Sequence, residues 1–144
     1  MKTRALLFFL LIFGGSLSAQ EVDTDGCPIF LMENEGVMDT MKRYFMVLYL
    51  AGDNQNHSKE EIAEIQTGHM AHIGKMAKEA NLITAGPFEG DAHFRGVLVF
   101  AKPNAADVEA WVNKDPAVLA GRLSYKLLPW WSSKSVIECK KNKI

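Results

Sequence analysis

Two histidines three residues apart, His69 and His72 in the stretch "QTGHMAHIGKM", are the most concentrated reactive groups in the chain. Such a pair suits either metal binding or acid/base work. Zinc-binding helices commonly place histidines at i and i+4 and draw a third ligand from elsewhere. Here the spacing is three, and no nearby carboxylate or thiol completes a set, so no metal is assigned. The two histidines are not equivalent. Apolar residues recur at Ile62, Ile65, Ile73, Met76 and Ala80, and His69 falls in the middle of that stripe. His72 projects about 60° to one side, at the helix flank. Burying an imidazole is costly unless its nitrogens find partners. His69 is therefore either a core histidine satisfied by one hydrogen bond or a working acid/base. His72 and the pair Gly86-Pro87 are candidate substrate contacts, although Gly86-Pro87 equally suits a strand end.

Asp115 carries two readings. It stands before "PAVLAG", where a carboxylate caps a helical turn that opens on Pro116 and closes on Gly121. It also has the chemistry to orient a histidine, since a carboxylate accepting from one ring nitrogen fixes the tautomer of the other. His57 and His93 lie in polar loops and read as solvated. The chain contains no glycine-rich phosphate loop, no nucleophile elbow and no paired-carboxylate signature.

The elements that must position these groups follow from periodicity. "RYFMVLYLA", Arg43 to Ala51, is rich in aromatic and branched residues and leads into the polar "GDNQNHS": a strand, then a loop. Ser58 with Glu61 three residues later forms a capping box, so a helix runs from there to about Ala80. "LITAGPF" and "FRGVLVFA" are two strands of a hairpin. "AADVEAWVNK" presents an apolar surface at helical spacing, and "LSYKLLPWW" closes the domain as a strand. The order β-α-β-β-α-β predicts an α+β domain of ferredoxin-like topology, an antiparallel sheet with both helices on one face. "FMVLYL" and "GVLVF" are apolar on both sides, so the second sheet face also needs a cover. Two sheets packed face to face in a homodimer would supply it. The competing arrangement is a monomer covered by the segment before the first strand.

The ends carry other information. Lys2 and Arg4, the apolar run Ala5 to Phe13 and "GGSLSA" have the layout of a secretory signal peptide at residues 1–19, with cleavage after Ala19. The run is shorter than the roughly 20 residues of a membrane span. The expected location is thus exported, periplasmic or extracellular, with no membrane span after cleavage. Residues 20–40 read as a leader in which "PIFLM" adds a short strand or packing segment, 41–131 as the domain, and 132–144 as a tail. Without Lys2 and Arg4, 14 basic residues face 17 acidic ones, and no basic face suited to nucleic acid is visible. The two cysteines, Cys27 and Cys139, flank the domain. Because the first and last strands are expected to be antiparallel neighbours, an oxidising compartment would permit a bridge within or between chains; free thiols are the alternative.

Taken in order, "RYFMVLYL", "GHMAHIGKM", "LITAGPF", "VLVFA", "WVNKDPAVLAG" and "LLPWW" resemble the YciI-like (YCII-related) family. The resemblance covers roughly Met41 to Trp131. It implies a ferredoxin-like domain that dimerises into an α+β barrel, with a His/Asp pair in a cleft proposed as catalytic. Carried across by motif, that pair is His69 and Asp115; no family role transfers to His72. No cofactor is expected for acid/base work by this pair. One branch of the family is linked to dehydrochlorination of a hydroxylated aromatic.

Two functions follow as expectations. One is a cofactor-independent lyase or isomerase using His69 and Asp115 on a small cyclic or aromatic molecule. The other is a barrel that binds a small molecule without turning it over, or binds haem through His69.

Overall fold

The computed structural model describes residues 20–90 and 93–138. The signal-peptide expectation at residues 1–19, and Cys139 with its bridge to Cys27, lie outside the described residues. The elements are β1 (Ile29–Asn34), β2 (Val37–Ala51), α1 (Lys59–Glu79), β3 (Leu82–Pro87), β4 (Phe94–Phe100), α2 (Ala105–Val112), α3 (Pro116–Leu119), β5 (Leu123–Ser133) and α4 (Lys134–Glu138). All strand pairs are antiparallel. β5 pairs with β2 from Met41 to Ala51, while β4 pairs with its C-terminal half and β3 lies outside β4. This is the split ferredoxin-like order that the sequence pattern predicts.

β2 is longer than expected. It begins at Val37 rather than Arg43, and its first six residues pair with β1 in a hairpin. Glu35 and Gly36 form a two-residue turn, and both have positive φ (50° and 79°). Hairpin turns of that kind usually carry Asn-Gly or Asp-Gly, so Glu-Gly is a weak sequence signal. Residues 20–40 are thus partly sheet. At the other end, β5 continues to Ser133 and a helical turn follows to Glu138.

α1 starts where the capping box places it. The Ser58 hydroxyl accepts from the Glu61 N–H at 3.2 Å, and the Glu61 carboxylate accepts from the Ser58 N–H at 2.7 Å. Met76 of α1, its C-cap Ala80, and Val108 and Val112 of α2 pack on Phe45, Val47, Tyr49, Leu98 and Phe100 of the sheet. Each large side chain fully buried there contributes about 1.5–3 kcal/mol. The opposite face holds a second cluster: Tyr44, Val99 and Ala101 meet Cys27 of the N-terminal segment, with Ile137 of α4 and Trp130 beside them. The chain's own flanks cover part of that face, while Leu128 stays exposed. Among the described residues no helix is long and apolar enough to cross a membrane.

Candidate functional site

His69 and Asp115 are 46 residues apart in sequence and in direct contact. His69 Nδ1 lies 2.9 Å from Asp115 Oδ1 and 2.8 Å from Oδ2. The contact exists because α1 comes very close to α3. Gly68, one residue before the histidine, faces Pro116; a Cβ there would stand 3.1 Å from the proline ring. Asp115 is fixed independently as the N-cap of α3, its Oδ1 accepting from the Ala117 N–H at 2.9 Å. One side chain therefore makes both the cap to α3 and the contact with His69.

A third group completes the arrangement. The Tyr49 hydroxyl donates to Asp115 Oδ2 at 2.7 Å, and its ring meets the His69 ring edge-on at 5.6 Å. Asp115 is fully buried. Burial alone would raise its pKa, but the bonds from His69, Tyr49 and the Ala117 N–H outweigh that and hold the carboxyl below its ordinary range. The Tyr49 phenol is pushed well up, first by burial and then by the Asp115 charge, so it remains a donor. An ionised carboxylate only accepts, so the proton between it and His69 resides on Nδ1. In the neutral ring the lone pair is then on Nε2.

The His69 ring forms part of the wall of a cavity of about 450 Å³, within the usual range for small-molecule sites. Met70, Ile73, Val97 and Leu98 give it an apolar lining, and Gly86 and Pro87 border it. Gly86 pairs with Val97 and Pro87 with Gly96 across β3 and β4, and a Cβ on Gly96 would fall 2.9 Å from the Gly86 carbonyl oxygen. His72 is different. Its Nε2 lies 2.9 Å from the Trp111 carbonyl oxygen and its ring packs 6.1 Å from the Trp111 ring, away from the cavity wall. The 60° offset along α1 turns this side chain toward α2, so its place is a helix–helix contact rather than the substrate contact expected of it.

Sequence reasoning did not single out Tyr49, Arg95, Arg122, Gln55 or Gln66, all of which border the cavity. Tyr49 had a usable signal: it follows Phe45 and Val47 on the helix-facing side of β2, and a phenol in a core row needs a partner. His57 also departs from expectation: it is half-buried, and its Nε2 has no hydrogen-bond partner.

No curated protein matches the chain. Among solved structures, a similar one is the 5-chloro-2-hydroxyhydroquinone dehydrochlorinase of Burkholderia phenoliruptrix AC1100, in complex with 2,5-dihydroxybenzoquinone. It is 19% identical, with 60% of this chain and 92% of that one covered and a TM-score of 0.46. The family model of the YCII-related domain matches residues 44–131, and the chain belongs to the YCII-related family.

Proposed function

We propose that the protein is a cofactor-independent lyase or isomerase acting on a small cyclic or aromatic molecule in the cavity beside His69. The observation that carries the proposal is the contact of His69 Nδ1 with both Asp115 oxygens at the edge of that cavity. With Nδ1 protonated, Nε2 is the basic nitrogen, and it removes a proton from a substrate carbon. The electron pair of the broken C–H bond forms a C=C bond as a leaving group departs, in the lyase case. In the isomerase case the imidazolium returns the proton to a different atom. Asp115 stabilises that imidazolium, and Tyr49 keeps the carboxylate oriented. Such positioned proton transfer is typically worth about 10²–10⁴-fold.

Hydrogen exchange tests the proposal before a substrate is known. Hydroxylated aromatics and unsaturated cyclic ketones and lactones are incubated with the protein in D₂O and weighed by mass spectrometry. The wild type is expected to wash deuterium into at least one compound, and His69→Gln to slow that exchange by about 10²-fold or more. Exchange by His69→Gln at the wild-type rate, or binding with no exchange in any compound, contradicts the assignment.

Two further parts of the proposal concern the whole protein. Export is supported by the basic, apolar and small-residue order of residues 1–19; a mature N-terminus at Met1 in the native host would refute it. A homodimer joined through the second sheet face is supported by Leu128, exposed there beside half-buried Met46 and Leu48. Light scattering on the purified protein decides it, and a monomer at micromolar concentration refutes it.

A further inference from the structure

Among the described residues the cavity is lined by two arginines, Arg95 of β4 and Arg122 immediately before β5, and by no aspartate or glutamate. That is a local excess of positive charge in a chain whose formal net charge is −1. Among the described residues neither guanidinium has an ion-pair partner; the ion pairs found there involve Lys42, His69, Lys75 and Lys134. Asp115 stands behind His69, where three donors occupy it, and does not border the cavity.

The backbone beneath Arg122 is built rather than loose. The Arg122 carbonyl accepts from the Gly52 N–H at 2.9 Å and from Gln55 Nε2 at 3.2 Å, and the Gly121 carbonyl accepts from the Asn54 N–H at 3.0 Å. The approach is so close that a Cβ on Gly52 would lie 2.1 Å from the Gly121 oxygen. Gly121 itself, at φ +71°, turns the chain from α3 into β5 and so sets where Arg122 begins. Arg122 is half-buried, whereas Arg95 is exposed at the rim, with its carbonyl bonded by the Phe88 N–H at 3.1 Å.

We infer that the cavity selects an organic anion, an apolar ring bearing a carboxylate, with Arg122 and Arg95 holding the charge while Met70, Ile73 and Leu98 hold the ring. The planar guanidinium fork matches a carboxylate in two parallel hydrogen bonds, which a neutral amide cannot reproduce. An anion held there also places the ring beside His69. This inference rests on the cavity being the substrate site, and it adds the substrate's charge to the function proposed above.

The test compares 4-hydroxybenzoate with 4-hydroxybenzamide, two probes of nearly equal shape, by calorimetry on the full chain at pH 7.5. The wild type is expected to bind the carboxylate at least about tenfold more tightly, about 1.4 kcal/mol. Arg122→Met is expected to remove most of that preference and Arg95→Met a smaller part, with folding of each variant verified by circular dichroism. Equal affinities in the wild type overturn the inference, as does failure of the carboxylate to bind at about 5 mM, roughly the weak limit of useful affinity. A preference that survives in the double variant also overturns it. His69→Gln separates the two claims. If it keeps the carboxylate preference but exchanges deuterium at the wild-type rate, the anion site stands and the catalytic role of His69 falls. If exchange is lost and no preference exists in either protein, the reverse holds.

Discussion

Two groups of ionisable side chains lie on opposite faces of β2. On the helix side, Tyr49 and His69 converge on Asp115. On the other side, the fully buried Lys42 ammonium meets the carboxylates of Asp23, Asp25 and Glu138 at 2.7, 2.7 and 2.6 Å. Both contain a buried charge, but they differ in how complete they are. An ammonium has three N–H donors, and Lys42 faces three carboxylates, so it has nothing left to offer a ligand. Burial would lower its pKa, but the three bonds raise it instead, and the charge is permanent. Asp23 is likewise held down to about 2, burial being outweighed by Lys42 and Lys134. That cluster fastens residues 23–25 and α4 to the sheet. His69 has one nitrogen committed to Asp115, and its ring borders a cavity. Burial of charge is common to both; the uncommitted nitrogen is what distinguishes a site from a clasp.

Substitutions can break this contrast. Lys42→Met leaves Asp25 and Glu138 without their cation and Asp23 with Lys134 alone, and is expected to cost about 3–5 kcal/mol in urea unfolding. It should leave ligand binding in the cavity unchanged wherever the protein stays folded. A cost no greater than that of His69→Gln would remove the distinction between the two groups. Asp115→Asn, next in size, should destabilise by about 1.5–3 kcal/mol, since it weakens charge-assisted bonds to three donors. It also has a pH signature. The folded pKa of Asp115 is depressed, so its stabilisation is complete above the ordinary carboxylate value of about 3.9 and is lost as pH falls below it. The wild type should therefore lose stability steeply below about pH 4, and Asp115→Asn less steeply. Parallel acid limbs in the two proteins would show that the depressed carboxyl is not where the acid sensitivity lies.

Tyr49→Phe removes one donor to Asp115 and should cost about 1 kcal/mol, with a shallower loss of stability in acid because the folded pKa of Asp115 moves back toward its unfolded value. His72→Gln is the smallest change: loss of its bond to the Trp111 carbonyl should cost less than about 1 kcal/mol. Deuterium exchange should not change. Loss of exchange in His72→Gln would return that residue to the site.

His69 and Asp115 were each legible on a strong local pattern, while their pairing came from the family resemblance. A capping box fixes the phase of α1, which places His69 on the apolar stripe, and Asp-Pro followed by a closing glycine fixes α3. Arg95 and Arg122 were not legible as a pair, since β4 and the residue immediately before β5 meet at the cavity only through the sheet. Lys42 was hidden for a related reason: its partners come from residues 23, 25 and 138, near the two extremes of the described chain. A lysine in a strand alternating with Tyr44 and Met46 nonetheless points to the same face as they do, and that face is largely buried. His72 shows the limit of spacing as a guide: three residues along a helix give the direction of the side chain but not what meets it.

Asp115 holds the His69 proton on Nδ1 and leaves Nε2 as the basic nitrogen at the cavity. Long-range proton–nitrogen NMR of the histidine rings, at a pH where they are neutral and with His69→Gln to assign the signals, reads this directly. His69 is expected to carry its proton on Nδ1, with an unprotonated Nε2 whose signal shifts when 4-hydroxybenzoate is added. A His69 ring protonated on Nε2 in the free protein would contradict it.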